Sequence, residues 1–179
     1  PTIARNARNL RALGLGFADL GALLMGLGLP YDSDRSTAWA GSIAALMTGE
    51  AYLQSSRIAE IRRPFREFER NRSAMLKVLK KHKKSLSLID EKLAPTEVLE
   101  SARQKWGMVI ERCKKNGFSN SQVTAIAPTG TVAFMMDCDT TGIEPELSLI
   151  KRKSLSGGGH LTIVNGMIQR ALIRLGYDP

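Results

Sequence analysis

Apolar residues recur along this chain with two rhythms. Leu10, Leu13, Phe17, Leu20, Leu24 and Leu27 follow three- and four-residue steps, which predicts a helix ending near Gly28-Leu29-Pro30. Gly14, Gly16 and Gly21 lie inside it. Each glycine costs a helix about 1 kcal/mol relative to Ala, so close approach of another backbone is the expected compensation. Ser33 or Asp34 caps a second predicted helix with Trp39, Ile43, Met47, Ile58 and Ile61 on its apolar side. It should stop near Arg63, ahead of Pro64. A short basic helix is expected over residues 71–83, and SLSLIDEKLAP reads as a ragged connection. Thr96 then caps a helix with Leu99, Ala102, Trp106, Val109, Ile110 and Cys113 inward, ended by Asn116-Gly117.

After Gly117 the period shortens. QVTAIA and TVAFMM are short, β-branched and apolar, and read as buried strands or extended segments on either side of a PTG turn. LSLIKRKSL reads as a further extended segment and SGGG as a turn. His160 to Leu175 is expected to form a closing helix with Leu161, Val164, Ile168, Leu172 and Leu175 inward. These elements suit an α/β layering with helices outside, but the strands are too few to close a barrel.

Composition changes this picture little. The chain has 179 residues, 43% hydrophobic and 24% charged, as an ordinary globular protein does. No apolar run reaches the ~18 residues that span a bilayer. The basic residues and apolar stretch at the N-terminus resemble a signal peptide, but the glycines and Asp19 fit an amphipathic helix better, so a cytoplasmic protein is expected. Cys113 and Cys138 provide no disulfide framework and no CxxC, which suits a reducing compartment. Cys113 reads as a core thiol.

Charge is uneven. The net +9 is concentrated between residues 57 and 84, where eleven Arg and Lys stand against Glu60, Glu67 and Glu69. Such a field attracts polyanions. No aromatic residues interleave with LKKHKK in the manner of a single-strand platform, so a solvated helix face is the preferred reading and nucleic acid the alternative. GLGFADLG is no dinucleotide fingerprint, because no strand precedes it and the spacing fails.

Candidate chemistry gathers in residues 126–146, IAPTGTVAFMMDCDTTGIEPE. Thr129, Gly130 and Thr131 offer two hydroxyls and several backbone N–H groups in a small volume, which suits phosphate. A tight turn capped by hydroxyls is the plainer alternative. No Lys follows the glycine, so this is not a Walker loop. The second turn, with Asp137, Cys138, Asp139 and Glu144, contains carboxylates suited to acid–base work or a metal, or to turn formation alone. Cys138 has no partner cysteine close in sequence for redox work.

APTGT, an apolar segment, MDCDTTGIEPE and LSLIKRKSLSGGG occur in an order that resembles the C-terminal part of the catalytic subunit of ribonucleotide reductases. The wording is most similar to the adenosylcobalamin-dependent class II enzymes, with class I the nearest rival. LGLGFADLGALLMGLGLPYDSD and AALMTGEAY resemble helical stretches of the same family, so the likeness covers nearly the whole chain. It implies an α/β fold: the helix-rich C-terminal portion of a ten-stranded barrel, incomplete in this chain. On that reading residues 1–118 are a mainly helical part of the barrel domain. Residues 119–179 hold a strand-turn-strand substrate-phosphate region and a closing helix.

The resemblance also implies a chemistry. Adenosylcobalamin generates a thiyl radical on a finger-loop cysteine, the radical takes the 3′ hydrogen of a ribonucleoside di- or triphosphate, and a cysteine pair supplies electrons for loss of the 2′-hydroxyl. Pro128, Thr129, Gly130 and Thr131 inherit the role of holding the substrate's phosphates. Thr141, Gly142 and Glu144 inherit proximity to the active site. Partners implied are the nucleotide, the remainder of the barrel in this or another chain, a thiol reductant system and a second copy as homodimer.

One departure matters. The finger-loop motif Asn-x-Cys-x-Glu is absent from the sequence, so no radical cysteine and no metal ligand is assigned here. The chain therefore reads either as a piece of a reductase, inactive alone, or as a non-catalytic barrel half acting as a binding or assembly module.

Overall fold

The computed structural model describes residues 2–154 and 156–178; Leu155, the last residue of the expected LSLIKRKSL segment, lies outside the described residues. Among the described residues, seven α-helices, a single 3-10 turn at Leu86–Leu88 after α4, and two strands follow one another: α1 Thr2–Leu10, α2 Leu20–Gly26, α3 Asp34–Arg62, α4 Phe68–Ser85, α5 Thr96–Asn116, α6 Gly130–Met135, β1 Ile150–Ser154, β2 His160–Val164 and α7 Ile168–Arg174. Among these, no helix is long and apolar enough to cross a membrane. The chain divides into two compact units, one built from residues up to Leu15 with Thr37–Ala125, the other from Gly16–Ser36 with the residues after Ala125. Residues 16–36 thus belong with the C-terminal stretch.

The first unit has an aromatic core. Trp106, Phe68, Phe118, Leu53, Leu79 and Val109 are fully buried where α3, α4 and α5 face one another. The Trp106 indole donates to the carbonyl of Ala45 at 2.9 Å, and His82 of α4 stacks on its ring at 5.7 Å. Gly117 ends α5 at φ 67 with its Cα side pressed against the Phe68 ring, which explains the glycine there.

The expected first helix is corrected: it breaks after Leu10, and residues 13–15 run parallel to residues 122–125. Leu13 N–H donates to Gln122, Leu15 N–H to Val123 and Ala125 N–H to Leu15. Helical spacing of leucines lost to backbone pairing, which Gly14 admits because its β-position lies only 3.4 Å from the Ala125 Cβ. The second helix begins as expected, with the Ser33 hydroxyl accepting from Ser36 N–H at 3.2 Å. Thr96, expected as a cap, is instead the first residue of α5 behind Pro95 and makes no capping bond.

In the second unit two more expectations are corrected. TVAFMM is helical, as α6, rather than a strand. His160 does not start a helix: His160–Val164 pairs antiparallel with β1 in the register Ile150↔Val164 to Ser154↔His160. Thr162, Ile163 and Val164 are β-branched, and β1 offers them an unpaired edge that no helix would satisfy. Only the last part of the expected helix survives, as α7, seated against α2 where Gly26 and Gly28 meet Met167 and Arg174.

Candidate functional site

Thr129 turns the chain. Its backbone adopts the left-handed region at φ 54, and its carbonyl accepts the N–H of Ala133 at 2.7 Å to start α6. Its hydroxyl oxygen accepts the N–H of Gly142 at 2.8 Å. Gly142, buried at φ 46, sits so tightly that a β-carbon would lie 2.8 Å from the carbonyl oxygen of Ala127 and 3.0 Å from that of Pro128. The PTGT and TTGIEP turns are therefore one folded body. Thr141 contributes through its carbonyl, which accepts the N–H of Glu144 at 3.1 Å.

The outward side of this body is open. Pro128, Gly130 and Thr131 are exposed, and nothing lies within 4 Å of a β-carbon placed at Gly130. The Thr131 hydroxyl makes no hydrogen bond to another described residue. The first N–H groups of α6 lack intrahelical acceptors, as at any helix start. Exposed hydroxyl and amide donors thus stand beside an open space at Gly130, a setting that suits an anionic oxygen ligand. Thr129 retains its hydroxyl hydrogen for donation, since toward Gly142 it acts only as acceptor. Glu144 is turned the other way: its Oε2 is buried with no hydrogen-bond partner among the described residues.

A second set of residues holds the loop. The Asp19 carboxylate accepts the backbone N–H of Thr140 at 2.8 Å and its hydroxyl at 3.2 Å, and the Thr140 oxygen in turn accepts Ala22 N–H at 3.1 Å. Leu20 N–H points to the Gly142 carbonyl at 3.4 Å, and the Tyr31 hydroxyl donates to the carbonyl of Ile143. A β-carbon at Gly21 would come within 2.9 Å of the Glu144 carbonyl, so this glycine does permit a close backbone approach. The sequence does not mark Asp19, Thr140 or Tyr31 as site residues. The one usable signal was an Asp directly ahead of a glycine-bearing helix.

Asp139 and Glu146 have structural partners. Asp139 accepts Gly166 N–H at 2.6 Å, while Lys151 donates to the Asp139 carbonyl and lies 3.1 Å from Glu146. Burial alone raises the Glu146 pKa, but hydrogen bonds from Asn165, Lys151 and Ser148 outweigh it and hold the carboxyl below its ordinary value. Burial, together with the charges of Asp19, Asp137 and Asp139, pushes the Cys138 thiol up. Burial pushes Cys113 up to about 11 despite the nearby Arg72 charge. Neither thiol is a ready thiolate at neutral pH. Among the described residues no group of three His, Cys, Asp or Glu is placed to hold a metal ion.

A family model described as ribonucleotide reductase, barrel domain, matches residues 1–179. The chain belongs to that family. A vitamin B12-dependent ribonucleotide reductase of Rhodopirellula baltica is 47% identical over 176 residues, covering 98% of this chain and 17% of the relative. Proteins of the same name from Streptomyces coelicolor and Streptantibioticus cattleyicolor are 46% and 43% identical, covering 98% and 99% of this chain and 18% and 30% of their own lengths. This reductase barrel-domain chain thus spans less than a third of the length of these relatives. Within it, the PTGT and TTGIEP turns and the Asp19 brace fall in one compact unit.

Proposed function

We propose that this chain contributes the substrate-phosphate seat of an adenosylcobalamin-dependent ribonucleotide reductase, a cytoplasmic enzyme that converts ribonucleotides to deoxyribonucleotides by thiyl-radical chemistry. The observation that carries the reading is the bond from Gly142 N–H to the Thr129 hydroxyl, which ties the PTGT turn to the TTGIEP turn while Gly130 and Thr131 stay exposed. The vitamin B12-dependent relatives support the cofactor class. Pro128 and Gly130 shape the seat, Thr129 and Thr131 donate to phosphate oxygens, and Thr141, Gly142 and Glu144 form the wall behind it.

No contact with the corrinoid is assigned to a residue of this chain; a groove of about 680 Å³ along α7 is rimmed by Arg170 and Arg174, unlike the apolar bed that ring needs. Adenosylcobalamin, when bound to the complete enzyme, would supply the radical. The remainder of a ten-stranded barrel, in the same or another chain, brings the finger-loop cysteine, with a thiol system as reductant. In this arrangement residues 1–118 are a largely helical part of the barrel domain and residues 119–179 carry the phosphate region.

In the complete reductase, Thr131→Val should weaken nucleotide binding roughly tenfold or more, the loss of one hydrogen bond to a charged group. Thr129→Val should weaken it as well and also lower the melting temperature, because Gly142 N–H loses its acceptor. Calorimetric titration with nucleotide reads both. Unchanged affinity in the two variants would remove the phosphate role and leave the hydroxyls to the turn.

A further inference from the structure

Helix α4 keeps one face of the first unit uncovered. Phe68, Met75 and Leu79 turn toward the core. At ~100° per residue, Arg70, Lys77, Lys81 and Lys84 fall on the opposite side within about 60° of arc and along about 21 Å of axis. All four are exposed, and none makes an ion pair among the described residues. Some other cations of this unit are matched, Arg57 and Lys105 with Glu50, Arg112 with Glu60 and Arg103 with Glu91, whereas Arg62, Arg66, Lys92 and Lys115 are unpaired among the described residues as well; the stripe differs from these in being a row of four along one helix face. Glu69, the only acid on α4, is taken by Arg72 at 2.6 Å.

The stripe runs into a groove. Arg5, Asn6 and Asn9 of α1 face Arg70 and Asn71 across a space of about 540 Å³, which also touches Glu67. A bond from Arg66 N–H to the Asn9 carbonyl at 3.0 Å ties the end of α1 to the approach to α4. Two guanidiniums and three amides against one carboxylate form a donor-rich site of the kind that contacts phosphate and sugar.

We propose that the outer stripe of α4 and this groove bind the backbone of duplex DNA without sequence preference. A duplex is chosen over a single strand because the stripe is straight and carries no aromatic side chain on which unpaired bases would stack. An apolar pocket of about 290 Å³ beside the stripe, lined by Leu10, Ala74, Met75 and Val78, would also suit an acidic peptide with an apolar anchor; the duplex is preferred because the four cations form a row about 21 Å long with no acid among them. The inference is independent of the phosphate-seat reading.

The test is fluorescence anisotropy of a labelled 20-base-pair duplex with the purified protein. Four neutralised phosphates predict a log–log salt slope of about −3.6, hence roughly a hundredfold loss of affinity between 50 and 200 mM salt. The variant Lys77→Glu/Lys81→Glu/Lys84→Glu should bind at least tenfold more weakly and show a shallower slope. Lys92→Glu/Lys114→Glu/Lys115→Glu, which changes net charge equally from other surfaces, should lose less than threefold. Should the first variant lose its helical circular dichroism, Lys77→Gln/Lys81→Gln/Lys84→Gln replaces it with the same expectation. Absence of binding at 50 mM salt, equal losses in the two charge-reversed proteins, or tighter binding of a single strand would each overturn the proposal.

Discussion

Gly142 shows how one residue couples two motifs. Its φ of 46 is unfavourable for any side chain, and the space a β-carbon would need is filled by the carbonyls of Ala127 and Pro128 and by a Glu144 oxygen at 2.5 Å. Both penalties act in the folded state. Gly142→Ala should therefore destabilise the second unit by about 2 kcal/mol or more. Chemical denaturation followed by a probe in that unit would measure it, and a loss under half a kilocalorie would mean that the loop shifts freely. Thr129 and Thr140 show the same economy: each hydroxyl accepts a backbone N–H from a distant stretch of chain. A sequence displays the hydroxyl but not the amide that it will receive.

Among elements, the long helices were legible and the short ones were not. α3 and α5 carry apolar residues at helical spacing over many turns, and a proline and a glycine mark their ends. α6 has six residues, too few for a period to declare itself, and its β-branched content pointed to a strand. The β1–β2 hairpin was half legible, because β1 was expected and its partner was assigned to a helix. That hairpin is anchored where Lys151 and Asn165 meet Glu146. The Glu146 carboxyl has a folded-state pKa below its unfolded value of about 4.5. Its stabilisation is therefore full above that unfolded value and is lost as pH falls through the lower folded one. Glu146→Gln should flatten the acid limb of the stability curve while leaving the loss of stability at alkaline pH unchanged. A pH series of denaturation midpoints in both proteins checks this, and identical acid limbs would assign the titration to other carboxylates.

For the whole molecule, exposed apolar side chains are the decisive feature. In the second unit Leu147 is 91% and Met135 85% exposed, with Val132, Leu149, Ile150 and Val164 also open. Large apolar side chains exposed in such number favour cover by further protein. Together with the missing finger-loop motif and two thiols held in protonated form, this predicts no reductase turnover by the 179-residue chain alone with adenosylcobalamin, nucleotide and thiol reductant. Deoxyribonucleotide formation above the no-enzyme rate would contradict that prediction.

By itself the sequence determined the family, the long helices and the position of the PTGT turn, because motif order and sustained periodicity are properties of consecutive residues. It also showed that a glycine inside a helix needs a close neighbour, without naming the neighbour. Tertiary structure decided the rest: the break after Leu10, the helical state of TVAFMM, the pairing of β2 with β1, and the brace from Asp19 to Thr140 across 121 positions of the chain. The break after Leu10 and the Asp19 brace depend on hydrogen bonds between segments far apart in sequence, the hairpin and α6 on bonds over shorter spans. In each case those contacts outweighed local propensities, which amount to less than about 1 kcal/mol per residue.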